Sequence, residues 1–230
     1  MAGADPRPTS RSRPGHTPVP LNRPGLRGTL PDNARAVALV LHGGGVRGKV
    51  PMHWRASPVL RMLPFARAID HAGHHEIAVV RLRNRFFGWN GDEQSPVHDA
   101  RWALEVIRQR LPGVPIALVG HSMGGRVALT LAAERDVRAV VALAPWIEPE
   151  DIPHGRPGLA VLLMHGTKDR TTDPRLTQRF AAQLRKLGAG VTLIDVKDGH
   201  AMLWQASRWH RTAARFVRDA LLRPERLDRH

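Results

Sequence analysis

Ile116-Ala117-Leu118-Val119-Gly120-His121-Ser122-Met123-Gly124-Gly125-Arg126-Val127-Ala128-Leu129 decides the fold. Its first four residues are a continuous apolar run and read as a buried strand. From Arg126 to Ala133 the pattern is helical. Between them stands G-x-S-x-G, so Ser122 sits on a sharp strand-to-helix turn with its hydroxyl projecting beyond the sheet edge. A side chain two residues to either side would collide with the turn, hence Gly120 and Gly124. The helix that follows aims its N-terminus at Ser122, where negative charge on a reacting group is stabilised. The same motif without this context would be an ordinary glycine-rich turn.

A serine hydroxyl needs a base, a group that orients the base, and donors for an oxyanion. Val37–Leu41 reads as a buried strand and ends in His42-Gly43-Gly44-Gly45. Glycines let backbone amides reach a carbonyl oxygen, so the expected oxyanion donors are the N–H groups of Gly44 and Met123. The alternative, a phosphate cradle, lacks a lysine at the required spacing. Leu159–Met164 is another buried strand, ending in His165-Gly166-Thr167-Lys168-Asp169. Asp169 is the expected orienting acid. Asp173 is its rival, better placed to cap a helix starting at Pro174; Glu148 and Asp151 are weaker ones. Val191–Val196 is the last strand, followed by Lys197-Asp198-Gly199-His200. With 13 histidines in the chain a lone histidine says little. His200 stands out by its place between the last strand and the terminal helix, and it is the expected base.

The order Ser122, Asp169, His200, together with His42-Gly43 and Gly120–Gly124, resembles the α/β-hydrolase fold superfamily, in its short, cap-poor serine esterase form. The resemblance covers roughly residues 34–222. Phe87-Gly88-Trp89-Asn90-Gly91 sits where relatives often carry an arginine-glycine-histidine-glycine turn, and Asp99 where many carry a structural aspartate. The resemblance implies ester chemistry through an acyl-enzyme, with no metal or organic cofactor.

The chain has 230 residues, a formal net charge of +15 and no cysteine. That length suits one domain with a tail. Lack of cysteine excludes disulfides, zinc thiolates and a cysteine nucleophile. No apolar run is long enough for a membrane span. The arginine- and proline-rich start has no apolar h-region, so no signal peptide is expected and the cytoplasm is the expected compartment. The positive charge is spread along the chain. Arg211, Arg215 and Arg218 share a helical spacing that reads as a solvated face more readily than as a polyanion stripe. No nucleic-acid partner is expected.

Residues 1–33 read as a disordered leader, with a short strand near Arg27–Leu30, and residues 34–230 as the catalytic domain. Helices are expected over 58–72, 97–111, 126–134, 174–187 and 202–222. About six strands alternating with helices demand a mostly parallel, doubly wound sheet covered on both faces. Site residues would gather at the carboxyl ends of the strands. Pro145–Gly158 is too short and too rich in proline for a large cap domain, which predicts an open, shallow site. Its expected walls are Trp54, Phe87, Trp89 and Trp146, with Met123, Leu203 and Trp204 as further candidates. Arg47, Lys49 and His53 could receive an anionic group. The expected activity is cleavage of carboxylic esters, with thioesters or lactones as variants. An acyltransferase or perhydrolase on the same residues, and a hydrolase-like module that binds without turnover, are the alternatives.

Overall fold

A computed structural model describes residues 22–223. Residues 1–21 of the expected leader, and residues 224–230, lie outside the described residues. Seven strands form one sheet in the order β1-β3-β2-β4-β5-β6-β7: β1 Gly25–Arg27, β2 Ala36–Leu41, β3 Ile77–Arg83, β4 Ile116–His121, β5 Val137–Leu143, β6 Ala160–Gly166 and β7 Gly190–Val196. All neighbours are parallel except β1, which pairs antiparallel with the outer side of β3. The six strands expected from apolar runs are all present. The seventh, β1, begins two residues before the short strand expected at Arg27. It draws residues 25–27 onto the sheet, ahead of the domain boundary expected at 34.

Among the described residues six α-helices flank the sheet: α1 Ser57–Arg61, α2 Leu63–Ala72, α3 Ser95–Arg110, α4 Met123–Thr130, α5 Pro174–Lys186 and α6 Ala206–Leu222. Alternation within the strands divides the core in two. Val37, Leu39 and Leu118 face α3, α4 and α5, packing with Leu104, Val127 and Phe180. Ala38, Val40 and Val119 face α2 and α6, packing with Phe65, Ile69 and Trp209. Both faces are apolar, as a parallel sheet wound on both sides requires.

Three helices depart from their expected spans, each for a local reason. The helix expected over 58–72 breaks at Met62 (φ −84°, ψ −7°). Pro64 has no N–H to donate back to residue 60. The terminal helix starts at Ala206 rather than 202, because the N–H groups of Trp204 and Gln205 are given to the Asp198 carboxylate instead of to a helix. After Thr130, α4 tightens into a 3-10 turn over Leu131–Ala133. Asp173 caps α5, accepting from the Arg175 N–H at 2.8 Å. No helix interrupts the stretch between β5 and β6, so there is no cap domain among the described residues. No helix among them is long and apolar enough to cross a membrane.

Candidate active site

Ser122 stands at the junction of β4 and α4 with φ +54° and ψ −118°, a conformation rare for a residue with a side chain. The surroundings over-determine it. The Ser122 N–H donates to the Leu143 carbonyl at 3.0 Å, and the Ser122 carbonyl accepts from Arg126 and Trp146, each at 3.1 Å. The turn is tight enough that a Cβ on Gly120 would lie 2.0 Å from the Gly124 carbonyl oxygen. Ser122 is largely buried, 8% exposed.

His200 lies beside this turn. Its ring centroid is 4.8 Å from that of His121, and its carbonyl oxygen lies 3.0 Å from His121 Nε2. The loop that carries it is tied down by Asp198, whose buried carboxylate accepts from the N–H groups of Gly199, Trp204 and Gln205 and from the Trp209 indole. His200 Nδ1 is 2.8 Å from Asp169 Oδ2. A carboxylate oxygen only accepts, so Nδ1 carries a proton, and in the neutral ring it is Nε2 that holds the lone pair.

Asp169 follows the end of β6, and its side chain is fully buried. Oδ1 accepts from the N–H groups of Thr171 and Thr172, at 2.7 and 3.0 Å. Oδ2 accepts from His200 and from the Thr172 hydroxyl, each at 2.8 Å, and lies 3.2 Å from His165 Nε2. Burial alone would push this carboxyl up. The hydrogen bonds, His165 first and then His200 and the two backbone amides, outweigh it and hold the group well below the usual carboxylate range. The rival acids go elsewhere. Asp173 caps α5, Asp151 pairs with Arg126 at 2.6 Å, and Glu148 accepts from the Trp146 indole at 2.5 Å.

The glycine run after β2 comes against the serine. A Cβ on Gly43 would lie 3.4 Å from Ser122 Cβ, and one on Gly44 would meet the Phe87 carbonyl oxygen at 2.2 Å and Met123 Cε at 2.5 Å. Gly44 and Met123 are therefore neighbours, and only a glycine fits at 44. His42 is buried and pushed down to about 4 by desolvation, with the nearby Arg83 adding to it and the bond to Gly43 opposing it. Its Nε2 accepts from the Asn84 N–H at 3.1 Å, so Nδ1 carries the proton and donates to the Gly43 carbonyl at 2.7 Å. His121 is pushed down to about 3, first by burial and then by the neighbouring His200.

The aromatic residues expected as walls divide into three sets. Trp89 and Trp146 meet edge to face, 6.0 Å apart, and hold the Arg126 guanidinium between them at 4.2 and 4.7 Å. They line a cavity of about 460 Å³ with Arg47, Glu148 and Ile152, and Ser122 is not among its lining residues. Phe87 packs on the glycine loop, its ring against Gly45. Trp54 is elsewhere. It lies at the sheet edge under Arg27, 4.4 Å from the guanidinium, with Arg81 and Arg83 of β3 also over its ring. β3 is separated from β4 by β2, which removes Trp54 from the serine. Leu203 and Trp204 are exposed just after His200, and Lys49 is paired with Glu93 at 3.0 Å.

Sequence reasoning missed Thr172, His165 and Arg126 as members of this region and gave His42 no role beyond the glycine loop. One signal was available. His42, His121 and His165 all stand at the carboxyl ends of strands, β2, β4 and β6, where side chains converge.

Comparison with known proteins agrees with this fold. Residues 38–160 match the alpha/beta hydrolase fold family. Mouse monoglyceride lipase is 35% identical over 116 residues, 49% of this chain and 36% of that protein. Human monoglyceride lipase is 33% identical over 102 residues, 44% of this chain and 31% of that protein. The chain thus matches about a third of the length of these relatives. Among solved structures, an esterase from Pyrococcus furiosus superposes with a TM-score of 0.64 at 17% identity, covering 83% of this chain and 85% of that one. A carboxylesterase from Bacillus cereus gives 0.60 at 19% identity, covering 83% and 93%. These structural likenesses concern the fold. The matched span takes in the glycine loop, the serine turn and five of the seven strands in whole or in part, and the chain belongs to the alpha/beta hydrolase fold family.

Proposed function

We propose that this protein is a serine hydrolase that cleaves carboxylic esters through an acyl-enzyme. The observation that carries the reading is the Nδ1 contact of His200 with the buried Asp169, on a loop packed against the Ser122 turn. With its proton on Nδ1, His200 presents Nε2 as the base for the Ser122 hydroxyl. Ser122 attacks the ester carbonyl, and its proton passes to Nε2. Asp169 holds the imidazole in this tautomer and stabilises the cation that forms. The N–H groups of Gly44 and Met123 receive the oxyanion. His200 then protonates the leaving alcohol, and water repeats the sequence to release the acid. These residues perform the reaction without a cofactor.

The likeness to monoglyceride lipases supports an ester substrate and makes a monoacylglycerol the first lipid to try. The stretch between β5 and β6, without a helix, supports an open site. Trp89, Phe87 and Trp146 are the proposed substrate walls, and Trp54 is withdrawn from them.

The test is reaction with a fluorophosphonate, with the modified residue mapped by mass spectrometry, beside hydrolysis of p-nitrophenyl esters from acetate to laurate. Modification at Ser122 with ester turnover supports the reading. No modification and no turnover on any ester or monoacylglycerol contradicts it and favours a module that binds without turnover. Transfer to an added alcohol in preference to water would make the enzyme an acyltransferase on the same residues.

A further inference from the structure

Asp169 Oδ2 receives two histidines. His200 reaches it at 2.8 Å from the exposed side and His165 at 3.2 Å from within the sheet. The second histidine has no place in the reaction proposed above. It is the penultimate residue of β6, 1% exposed, and its other nitrogen, Nδ1, lies 2.8 Å from the Thr177 hydroxyl on α5. The Thr172 hydroxyl lies among all three groups, 2.8 Å from Asp169 Oδ2, 3.2 Å from His165 Nε2 and 3.3 Å from His200 Nδ1.

The chemistry fixes the tautomer. A lone pair on His165 Nε2 would face an anionic oxygen across 3.2 Å, which is repulsive, so Nε2 carries a proton. In the neutral ring Nδ1 then accepts from the Thr177 hydroxyl, and every polar atom of this fully buried ring is satisfied. We propose that His165 is a positioning residue for the hydrolytic reaction: its Nε2–H holds Asp169 Oδ2 in place and takes up part of the carboxylate charge that His200 would otherwise receive alone. This inference rests on the reading of Ser122, Asp169 and His200 given above.

The consequence for His200 has a definite sign. A carboxylate oxygen relieved of one donor is more basic toward the donors that remain. Without the His165 proton, Asp169 stabilises the His200 cation more strongly. The groups facing His200 are otherwise Asp169, Thr172 and His121, with the charge of Arg61 reaching His121. His165→Asn leaves Asp169 and His121 as they are and takes from the Thr172 hydroxyl only its contact with Nε2, which adds no charge beside His200. Since the base must be neutral to accept the serine proton, the acidic limb of kcat/KM moves to higher pH when the His165 donor is lost.

Two isosteric variants separate this role from simple packing. A glutamine amide nitrogen overlies Nε2 of histidine and donates as it does, and an asparagine amide oxygen can take the place of Nδ1 as the acceptor for Thr177. His165→Gln keeps the donor to Asp169, and His165→Asn keeps only the Thr177 contact. The expected result is an acidic limb displaced upward by about half a unit to one unit in His165→Asn, with kcat lower several-fold, and the limb restored in His165→Gln. Equal limbs in both variants and in the unsubstituted protein would overturn the proposal. Long-range ¹H–¹⁵N NMR of the unsubstituted protein gives a second reading that needs neither turnover nor a folded variant. It is expected to show the His165 proton on Nε2, and a proton on Nδ1 alone would overturn the proposal. If the tautomer is as expected while Ser122→Ala retains full turnover, the hydrogen bond stands and the catalytic reading on which its role depends is the part that fails.

Discussion

His42 Nδ1 holds the carbonyl oxygen of Gly43 at 2.7 Å. The peptide that joins Gly43 to Gly44 is trans, so its C=O and N–H point in opposite directions. Anchoring the oxygen on the His42 ring therefore aims the Gly44 N–H away from that ring, fixing the orientation of one proposed oxyanion donor. The far side of the ring is held by the Asn84 N–H, so the strand ends of β2 and β3 set the direction of this amide.

Replacing His42 by alanine frees the Gly43 carbonyl and strips the buried Asn84 N–H of its acceptor. We expect kcat/KM for ester hydrolysis to fall by about 10²-fold, in the range seen when an oxyanion donor is lost. Stability falls by about 2–4 kcal/mol in urea denaturation, the sum of a lost buried side chain and an unsatisfied donor. Full turnover in His42→Ala would show that the peptide needs no anchor.

The glycines give a graded test of the serine turn. Gly120→Ala places a Cβ 2.0 Å from a backbone oxygen that cannot move without unwinding the start of α4. A destabilisation of more than about 3 kcal/mol is expected, the range for overpacking a buried site. Gly190→Ala meets only the Leu159 carbonyl, at 3.8 Å, and is expected to lie within about 1 kcal/mol of the parent. Thermal unfolding of the two proteins makes the comparison.

Acid weakens this fold in a defined window. His42 and His121 are buried neutral, with their titration pushed down from 6.5 to about 4 and about 3. Between 6.5 and these values the unfolded chain binds protons that the native chain does not, so stability rises with pH there and is lost on acidification. Across their windows the two histidines account for losses on the order of 3 and 5 kcal/mol respectively. Asp169, held below the usual carboxylate range, adds a further loss only once the pH falls through the unfolded carboxylate value near 4. Urea midpoints measured from pH 8 to pH 4 should therefore decline mainly below 6.5. A flat profile between 6.5 and 4 would contradict neutral burial of the two rings.

Arg126 joins the α4 helix to both tryptophans. Its guanidinium lies between Trp89 and Trp146 and reaches Asp151 Oδ1 with two nitrogens, at 2.6 and 3.1 Å. Arg126→Ala is expected to lower stability by about 2–4 kcal/mol, through two lost ring contacts and a carboxylate left without its partner. Arg126→Lys restores little, because an ammonium has neither the planar face nor the fork. Tm values of the two variants are the readout.

The strands and the serine turn were legible because their signals are local. Apolar runs mark β2, β4, β5 and β6, and G-x-S-x-G marks the junction of β4 with α4. Asp169 and His200 stand out by their place after strand ends, and the structure brings them within 2.8 Å of each other. What escaped was decided by pairing across the chain. The start of α6 depends on Asp198 taking the N–H groups of Trp204 and Gln205, which no helical pattern reveals. Trp54 reads as an aromatic of the loop beyond the glycine run, yet β1 and β3 bring Arg27 and Arg81 over its ring at the sheet edge. His165 was visible only as the histidine of a strand-end His-Gly pair. Its contact with Asp169 exists because the turn after β6 folds Asp169 back over the strand end.

The central claim is that Ser122 carries the reaction with His200 as its base. It is tested most directly by p-nitrophenyl butyrate hydrolysis in the parent protein, Ser122→Ala, His200→Ala and the double variant, each shown to be folded by circular dichroism. Residues acting as one unit lose their effect together. The account predicts that each single variant falls by about 10⁴-fold or more and that the double variant falls no further. Turnover retained in Ser122→Ala, or losses that multiply in the double variant, would contradict it.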